Sequence, residues 1–314
     1  MEIRKYITGD EHKILALFKL AFNKEMSLEY WKWRFLTNPF GKDIMIHLMW
    51  DEDILVGHYA VSPIEMEING RICKTALSMT TMTHPEYNGR GIFTQLSSSL
   101  YEELKNFHNY AMVWGFPNNN SHHAFIKNLK WKNVATIPML SLKKSNLNLN
   151  INSFNYECHS AFNDTLAKQL NLSTKNLTIN KTHAYLNWRY LKNPSATYKI
   201  ISLKNNSGVI VYKVIPSFSN IEKIEIDIME IEFYTNMDVL QQLLHAVIKN
   251  EASEINQFNM WNSIFSDEYL YLKKIGFISL MPLTYLGFLN LASGDKSSEQ
   301  YDKWDINFGY SDVF

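Results

Sequence analysis

The stretch from Lys74 to Phe107 constrains this chain more than any other. Lys74 to Thr83 reads as a strand, His84-Pro85-Glu86-Tyr87-Asn88-Gly89-Arg90-Gly91 as a turn, and a helix opens at Ile92. Ile92, Phe93, Leu96, Leu100, Leu104 and Phe107 recur at the spacing of one buried helix face. Two glycines therefore fall between a strand end and a helix start. Glycine reaches backbone angles closed to other residues, so successive N–H groups can converge on one anion beside the positive helix end. The pattern predicts a phosphate cradle. A Rossmann loop would place a third glycine where Thr94 stands, and the Gly-Lys-Ser/Thr of a Walker loop is absent.

The rest of the composition narrows the class. A chain of 314 residues is longer than one average domain, which predicts two domains of about 150 residues each. With 31 basic and 31 acidic residues there is no net field to gather nucleic acid or anionic lipid. No apolar run approaches the roughly 20 residues that span a bilayer. A soluble, cytoplasmic protein with neither nucleic acid nor membrane as partner is expected. Cys73 and Cys158 lie in different halves without a Cys-x-x-Cys spacing, so no disulfide framework and no zinc or other metal site is expected.

Before the cradle the chain predicts a strand at Ile3 to Ile7, then a helix with Ile14, Leu17, Phe18, Ala21 and Phe22 on one face. A second helix carries Leu28, Trp31, Trp33, Arg34, Phe35 and Leu36 and stops before Asn38-Pro39. Strands are expected at Ile44 to Trp50, Ile54 to Met66 and Ile72 to Thr83, an antiparallel meander. Beyond the cradle helix, Tyr110 to Trp114 reads as a buried strand. A helix is expected next, from about Ser121 to Leu129, with Asn118-Asn119-Asn120-Ser121 as a capping cluster.

Lys143 to Asn155 is rich in Asn and Ser and reads as a linker. The chain beyond Asn155 partly repeats the first half. Trp33-Arg34-Phe35-Leu36-Thr37-Asn38-Pro39 returns as Trp188-Arg189-Tyr190-Leu191-Lys192-Asn193-Pro194, and Tyr269 to Phe277 mirrors Phe125 to Trp131. The second half has no cradle, because Thr235-Asn236-Met237-Asp238 lacks glycine before a helix from Val239 to Ile248. Asp238 is expected to cap that helix and to repel a pyrophosphate. The repeated Trp-Arg pairs are expected to stack an arginine on a ring and bond it to carbonyls at a helix end, with substrate binding as the alternative.

Strand, His-Pro-Glu-Tyr, Asn88-Gly89-Arg90-Gly91-Ile92 and helix together resemble the acyl-CoA loop of the GNAT (Gcn5-related) N-acyltransferases. The family pattern Gln/Arg-x-x-Gly-x-Gly/Ala falls on Asn88, Gly91 and Phe93, and Phe93 must turn into the core beside Leu96. The resemblance implies an α/β chain of two GNAT-like halves, each a mixed, mostly antiparallel sheet flanked by helices, the second half degenerate. It divides the chain into an acyl-CoA domain at 1–145, a degenerate domain at 156–290 contributing to the acceptor pocket, and a tail at 291–314. It also implies a strand splayed from its neighbour to admit the pantetheine arm.

The activity implied is acyl transfer from acyl-coenzyme A, as cosubstrate, to an amine. Backbone N–H groups near Met82 and Thr83 would hold the thioester carbonyl. Asn88, Gly89, Arg90, Gly91, Ile92 and Phe93 would hold the pyrophosphate, and Asn118 or Ser121 the CoA arm. Where many family members have a tyrosine acid, this chain has Phe125 and Ile126, so His122 and His123 are the candidate catalytic groups, with Tyr59, His58 and His84 behind them. The tandem arrangement is similar to acyltransferases of bacterial surface-polysaccharide gene sets. That similarity implies a nucleotide-linked amino sugar as acceptor, of the dTDP-3-amino-3,6-dideoxyhexose type, acylated with an acetyl or 3-hydroxybutanoyl group. A monomer is expected, and the acids of the aromatic tail Trp304 to Asp312 could orient the sugar amine. The competing classes are an acetyltransferase of another small amine, a cell-wall aminoacyl transferase, for which the glycine loop is out of place, and a binding module without activity.

Overall fold

The computed structural model describes all residues except 42, 148–152, 173–174, 176, 205, 221, 293–296 and 312–314. The fold is mixed α/β, mostly antiparallel, in two compact units. The first comprises residues 1–135, 193–195 and 285–299, and the second 136–192, 196–284 and 300–314.

The first unit opens with β1 (Glu2–Lys5), α1 (Glu11–Phe22) and α2 (Leu28–Leu36), then β2 (Ile46–Asp51), β3 (Ile54–Ile68) and β4 (Arg71–Thr83). These four strands pair antiparallel in the order β1-β2-β3-β4. α3 (Ile92–Phe107) then crosses to β5 (Met112–Gly115), which runs parallel to β4, and α4 (Asn119–Leu129) comes next. Ile92, Leu96, Leu100 and Leu104 of α3 are buried with Tyr59, Val113, Phe125 and Trp131 in one cluster. Phe107, expected on that stripe, is the last residue of α3 and is 79% exposed.

The second unit takes β6 (Lys132–Lys143) from Thr136 onward, then β7 (Tyr156–His159), α5 (Asp164–Leu170), β8 (Leu177–Ile179) and α6 (His183–Leu186). A π-helical turn at Asn187–Leu191 carries the second Trp-Arg pair. β9 (Tyr198–Leu203), β10 (Val209–Pro216) and β11 (Ile224–Glu232) form an antiparallel meander. α7 (Met237–Asn250) crosses to β12 (Ile255–Met260), parallel to β11, and α8 (Asp267–Ile275) comes after it. Leu240, Leu243, Leu244 and Val247 of α7 pack on Ile210, Ile226 and Phe258.

Apart from the short strand β8, the two halves of the chain run through the same order of elements. The glycines Gly57 and Gly208 mark the correspondence: a Cβ on Gly57 would strike Ile92 and Leu96 of α3, and one on Gly208 would strike Val239 and Leu243 of α7. The compact units draw their closing strands from both halves. β6 closes the first half in sequence but pairs antiparallel with β12 in the second unit. The strand Ile278–Asn290 closes the second half, and its Gly287–Asn290 end pairs antiparallel with β5 in the first unit. Part of the last strand of each half is thus counted in the other unit. Of the expected linker, residues 148–152 lie outside the described residues, and Lys144–Asn146 form a 3-10 turn.

Candidate functional site

In the first unit, β3 and β4 pair in register from Ile68–Arg71 up to Ala60–Met79. The register then slips, so that Thr80 and Thr81 together face Tyr59 before His58–Met82 and Gly57–Thr83 resume the ladder. Thr80 sits at φ 48° in this β-bulge. On its other edge β4 is paired with β5 only from Thr75 to Leu77. Beyond that ladder, no strand among the described residues is registered against this edge of Ser78 to Thr83, and a Cβ on Gly115 would come within 3.3 Å of the Ser78 carbonyl. The ladder between β4 and β5 thus ends where the splay of the two strands is expected to begin.

The loop after Thr83 is held from its outer side. The His84 ring accepts from the Glu86 N–H, Tyr87 donates its hydroxyl to Asp51 at 2.9 Å, and the Arg90 guanidinium lies 4.5 Å from the centre of the Tyr87 ring. Gly89 and Gly91 take φ 78° and 72°, where other residues are strained, and Gly91 is the N-cap of α3. No side chain caps this helix and its first turn holds no acid. Its leading N–H groups are therefore available, at the positive end of the helix, to an anion. Asn88, Gly89, Arg90 and Gly91 are all exposed, Thr83 is partly exposed, and Met82 and Ile92 on either side of the loop are buried. Phe93 turns inward against Tyr59 and Phe125, as its bulk requires.

The other expected residues are used differently. Asn118 Oδ1 accepts from the N–H groups of Asn120 and Ser121, and Ser121 Oγ accepts from the Asn118 N–H, a reciprocal cap of α4. His122 stacks on Tyr285, ring centres 3.9 Å apart, and its Nε2 lies 2.9 Å from Asn133 Oδ1. His123, the next residue, is exposed.

Two features beside the bulge involve Tyr59 and His58, which the sequence offered only as reserve candidates and without their partners. Tyr59 Oη lies 2.8 Å from Ser78 Oγ and 2.6 Å from Tyr101 Oη, which accepts from Trp131 Nε1, forming a buried hydroxyl chain. Burial pushes the Tyr59 and Tyr101 phenols up, so both stay protonated. His58, on the opposite face of β3, donates from Nδ1 to the Thr80 carbonyl at 2.7 Å. Burial lowers its pKa to about 4, keeping it neutral. The alternation His58-Tyr59 in a strand was the available signal, since the period of two sends them to opposite faces.

The corresponding place in the second unit is closed. α7 begins at Met237, two residues earlier than expected, and Asn236, not Asp238, is its cap, accepting from the N–H groups of Asp238 and Val239. Tyr234 and Thr235 take positive φ in the shortened turn. Beside the β11–β12 ladder, which ends at Asp227–Asn259, lies a narrow cavity of about 50 Å³ lined by Glu230, Glu232, Met260, Ser263, Trp304 and Asn307. The C-terminal segment fills this side of the unit: Trp304, Ile306, Phe308 and Tyr310 are buried, and Asp305 accepts from Lys181, which also pairs with Glu230 at 2.9 Å. Burial opposes the Lys181 charge, but Glu230, Tyr310 and Asp305 around it outweigh burial and hold its pKa well above the ordinary value. Asp305 thus serves an ion cluster of the second unit, and Asp312 lies outside the described residues.

Among the described residues no helix is long and apolar enough to cross a membrane, and no group of three metal-ligating side chains is gathered. Residues 2–132 match the family model described as acetyltransferase (GNAT) domain. A GCN5-related N-acetyltransferase from Anabaena variabilis ATCC 29413 matches with TM-score 0.71 at 13% identity, over 93% of this chain and 73% of its own. One from Kribbella flavida gives 0.69 at 12% identity, over 92% and 72%. An acetyltransferase-like chain from Pyrococcus horikoshii gives 0.61 at 12% identity, over 99% and 95%. At these identities the likeness is one of fold. No curated protein matches the chain by sequence.

Proposed function

We propose, from the match of residues 2–132 to the acetyltransferase (GNAT) domain model, that the first unit transfers an acyl group from acyl-coenzyme A to an amine, at one site per chain. The observation that carries this reading is the uncapped start of α3, with Gly89 and Gly91 at positive φ beside the open edge of β4. The leading N–H groups of α3, with Asn88 and Arg90, would hold the pyrophosphate. The main chain at Met82 and Thr83, past the bulge, would donate to the thioester carbonyl and stabilise negative charge developing there. Asn118 and Ser121 would meet the CoA arm through the groups their cap leaves over. An ammonium is not a nucleophile, so a proton must leave the acceptor. His123, exposed at the start of α4, is the group proposed to move it, with His122 beside it.

The acceptor we assign is a nucleotide-linked amino sugar, on the strength of the tandem Trp-Arg-aromatic-Leu-x-Asn-Pro resemblance. The long remote part of such a substrate supplies binding energy that positions the amine. Thiol release from acetyl-CoA, read with a panel of amines, tests the transferase. Rates on a free and a dTDP-linked 3-amino-3,6-dideoxyhexose test the acceptor: a much higher kcat/KM is expected for the linked form, and equal values reject the nucleotide-sugar assignment.

A further inference from the structure

The two halves can be compared at their repeated arginine. In the second unit, each nitrogen of the Arg189 fork donates: Nε to the Gly309 carbonyl at 3.2 Å, Nη1 to Tyr198 Oη at 3.3 Å and Nη2 to the Ser311 carbonyl at 3.0 Å. The neighbouring Tyr190 donates its hydroxyl to Glu230, at the bulge where β11 slips against β10. Gly309 passes so close that a Cβ there would overlap Tyr190 and Glu230. Arg189 therefore clamps an extended segment, the C-terminal tail, onto a bulged strand.

The first unit has the same parts. Arg34 precedes Phe35, whose ring packs edge-on to His58 at 6.0 Å, and His58 bonds the bulge residue Thr80. Arg34 is 5% exposed, yet its Nη2 has no hydrogen-bond partner among the described residues. Nor do Trp31 Nε1 and His58 Nε2, the residues on either side of the Phe35 ring. The carbonyl on Nδ1 can only accept, so His58 Nε2 is a bare acceptor and the other two atoms are bare donors. Native interiors rarely leave such groups unpaired, because each costs its full desolvation. Trp31 and His58 pack on Phe35, while the Arg34 guanidinium lies 5.7 Å from the centre of the Trp33 ring, so three unpaired polar atoms fall on or beside α2, a place fit for a polar ligand.

We propose that Arg34 receives an oxygen of the acceptor substrate, taking from it the bonds that Arg189 takes from the tail. The proposal rests on the acyltransferase reading and adds a binding group to it. The shared chemistry is an oxygen acceptor near the reacting amine, which an amide carbonyl or a diphosphate can both supply. A fork matches either, whereas a lysine in its place restores attraction to a phosphate but not two directed bonds to carbonyls.

Arg34→Met and Arg34→Lys are compared with wild type in the full chain, using acetyl-CoA with a dTDP-linked amino sugar in one arm and an amino-acid amide in the other. Loss of a charge-assisted bond predicts that Arg34→Met raises the acceptor KM about tenfold or more, with CoA binding by calorimetry unchanged. Rescue by lysine in the first arm identifies a diphosphate, and failure of rescue with turnover in the second identifies a carbonyl. An unchanged acceptor KM, or a loss of CoA affinity instead, overturns the proposal. A melting comparison decides independently of turnover. Arg189→Met should lower Tm and Arg34→Met should not, and an equal loss makes Arg34 a structural clamp and ends the proposal even if no amine is acylated.

Discussion

His58 Nδ1 donates to the main-chain carbonyl of Thr80, so a ring on one strand fixes the bulge of the next. The folded pKa of His58, about 4, lies below its ordinary 6.5 because the ring is buried. The unfolded chain therefore takes up the proton first. The contribution to stability is complete above pH 6.5 and is lost as pH falls toward 4, at most about 3 kcal/mol. Urea unfolding at about pH 7.5 and about pH 4.5 should show this fall, and His58→Gln, which can still donate to Thr80, should flatten it. A slope unaltered by the substitution would place the titration elsewhere.

Gly91 at φ 72° separates geometry from charge. Gly91→Ala meets nothing nearer than Gln95 Nε2 at 3.6 Å and carries only the strain of its backbone angle, about 1 kcal/mol. Gly91→Glu adds a carboxylate where the pyrophosphate is proposed to bind. CoA should raise the Tm of wild type and of the alanine variant but not that of the glutamate variant. An equal rise in all three would show that CoA does not use this loop.

Asn236 fills the place in the second unit that is open at Gly91 in the first, and Asp238 adds an acid to the first turn. Calorimetry should accordingly find one CoA per chain. A stoichiometry of two would mean that capped α7 binds an anion all the same, contrary to the helix-end argument.

The buried Lys181–Glu230–Asp305 cluster should be a strong dependence of the second unit. Lys181→Met leaves Glu230 without its cation and should cost about 3–5 kcal/mol, part of which Glu230→Gln in the same chain restores. Trp304→Ala, removing a fully buried ring of the tail, should cost a similar amount, about 3–5 kcal/mol, in denaturant unfolding. A tail that merely lies on the surface would show neither loss.

Much of this architecture can be read without coordinates where it depends on local chemistry. The spacing from Ile92 to Leu104, the glycines before it and the proline after Asn38 each restrict a few neighbouring residues, so the cradle, α2 and α3 follow from the chain alone. The repeat of Trp33–Pro39 at Trp188–Pro194 likewise announces two related halves, and the absence of glycine before α7 announces that only one keeps the loop.

Tertiary structure decided which strand closes which unit and what occupies the second cleft. β6 and Ile278–Asn290 are apolar strands of the same kind, and an alternating pattern says that a strand is half buried but not which edge it will join. Asn118 and Ser121 were legible as a cap, yet whether a histidine after them stacks on Tyr285 or faces solvent depends on a segment far along the chain. The repeated arginines are the clearest case. Arg34 and Arg189 sit in nearly the same heptapeptide, and only the path of the distant C-terminal tail gives Arg189 its carbonyls while leaving Arg34 Nη2 bare. The chain's own residues determine the reach and charge of a side chain, whereas its partners are set by whatever distant backbone packing brings beside it.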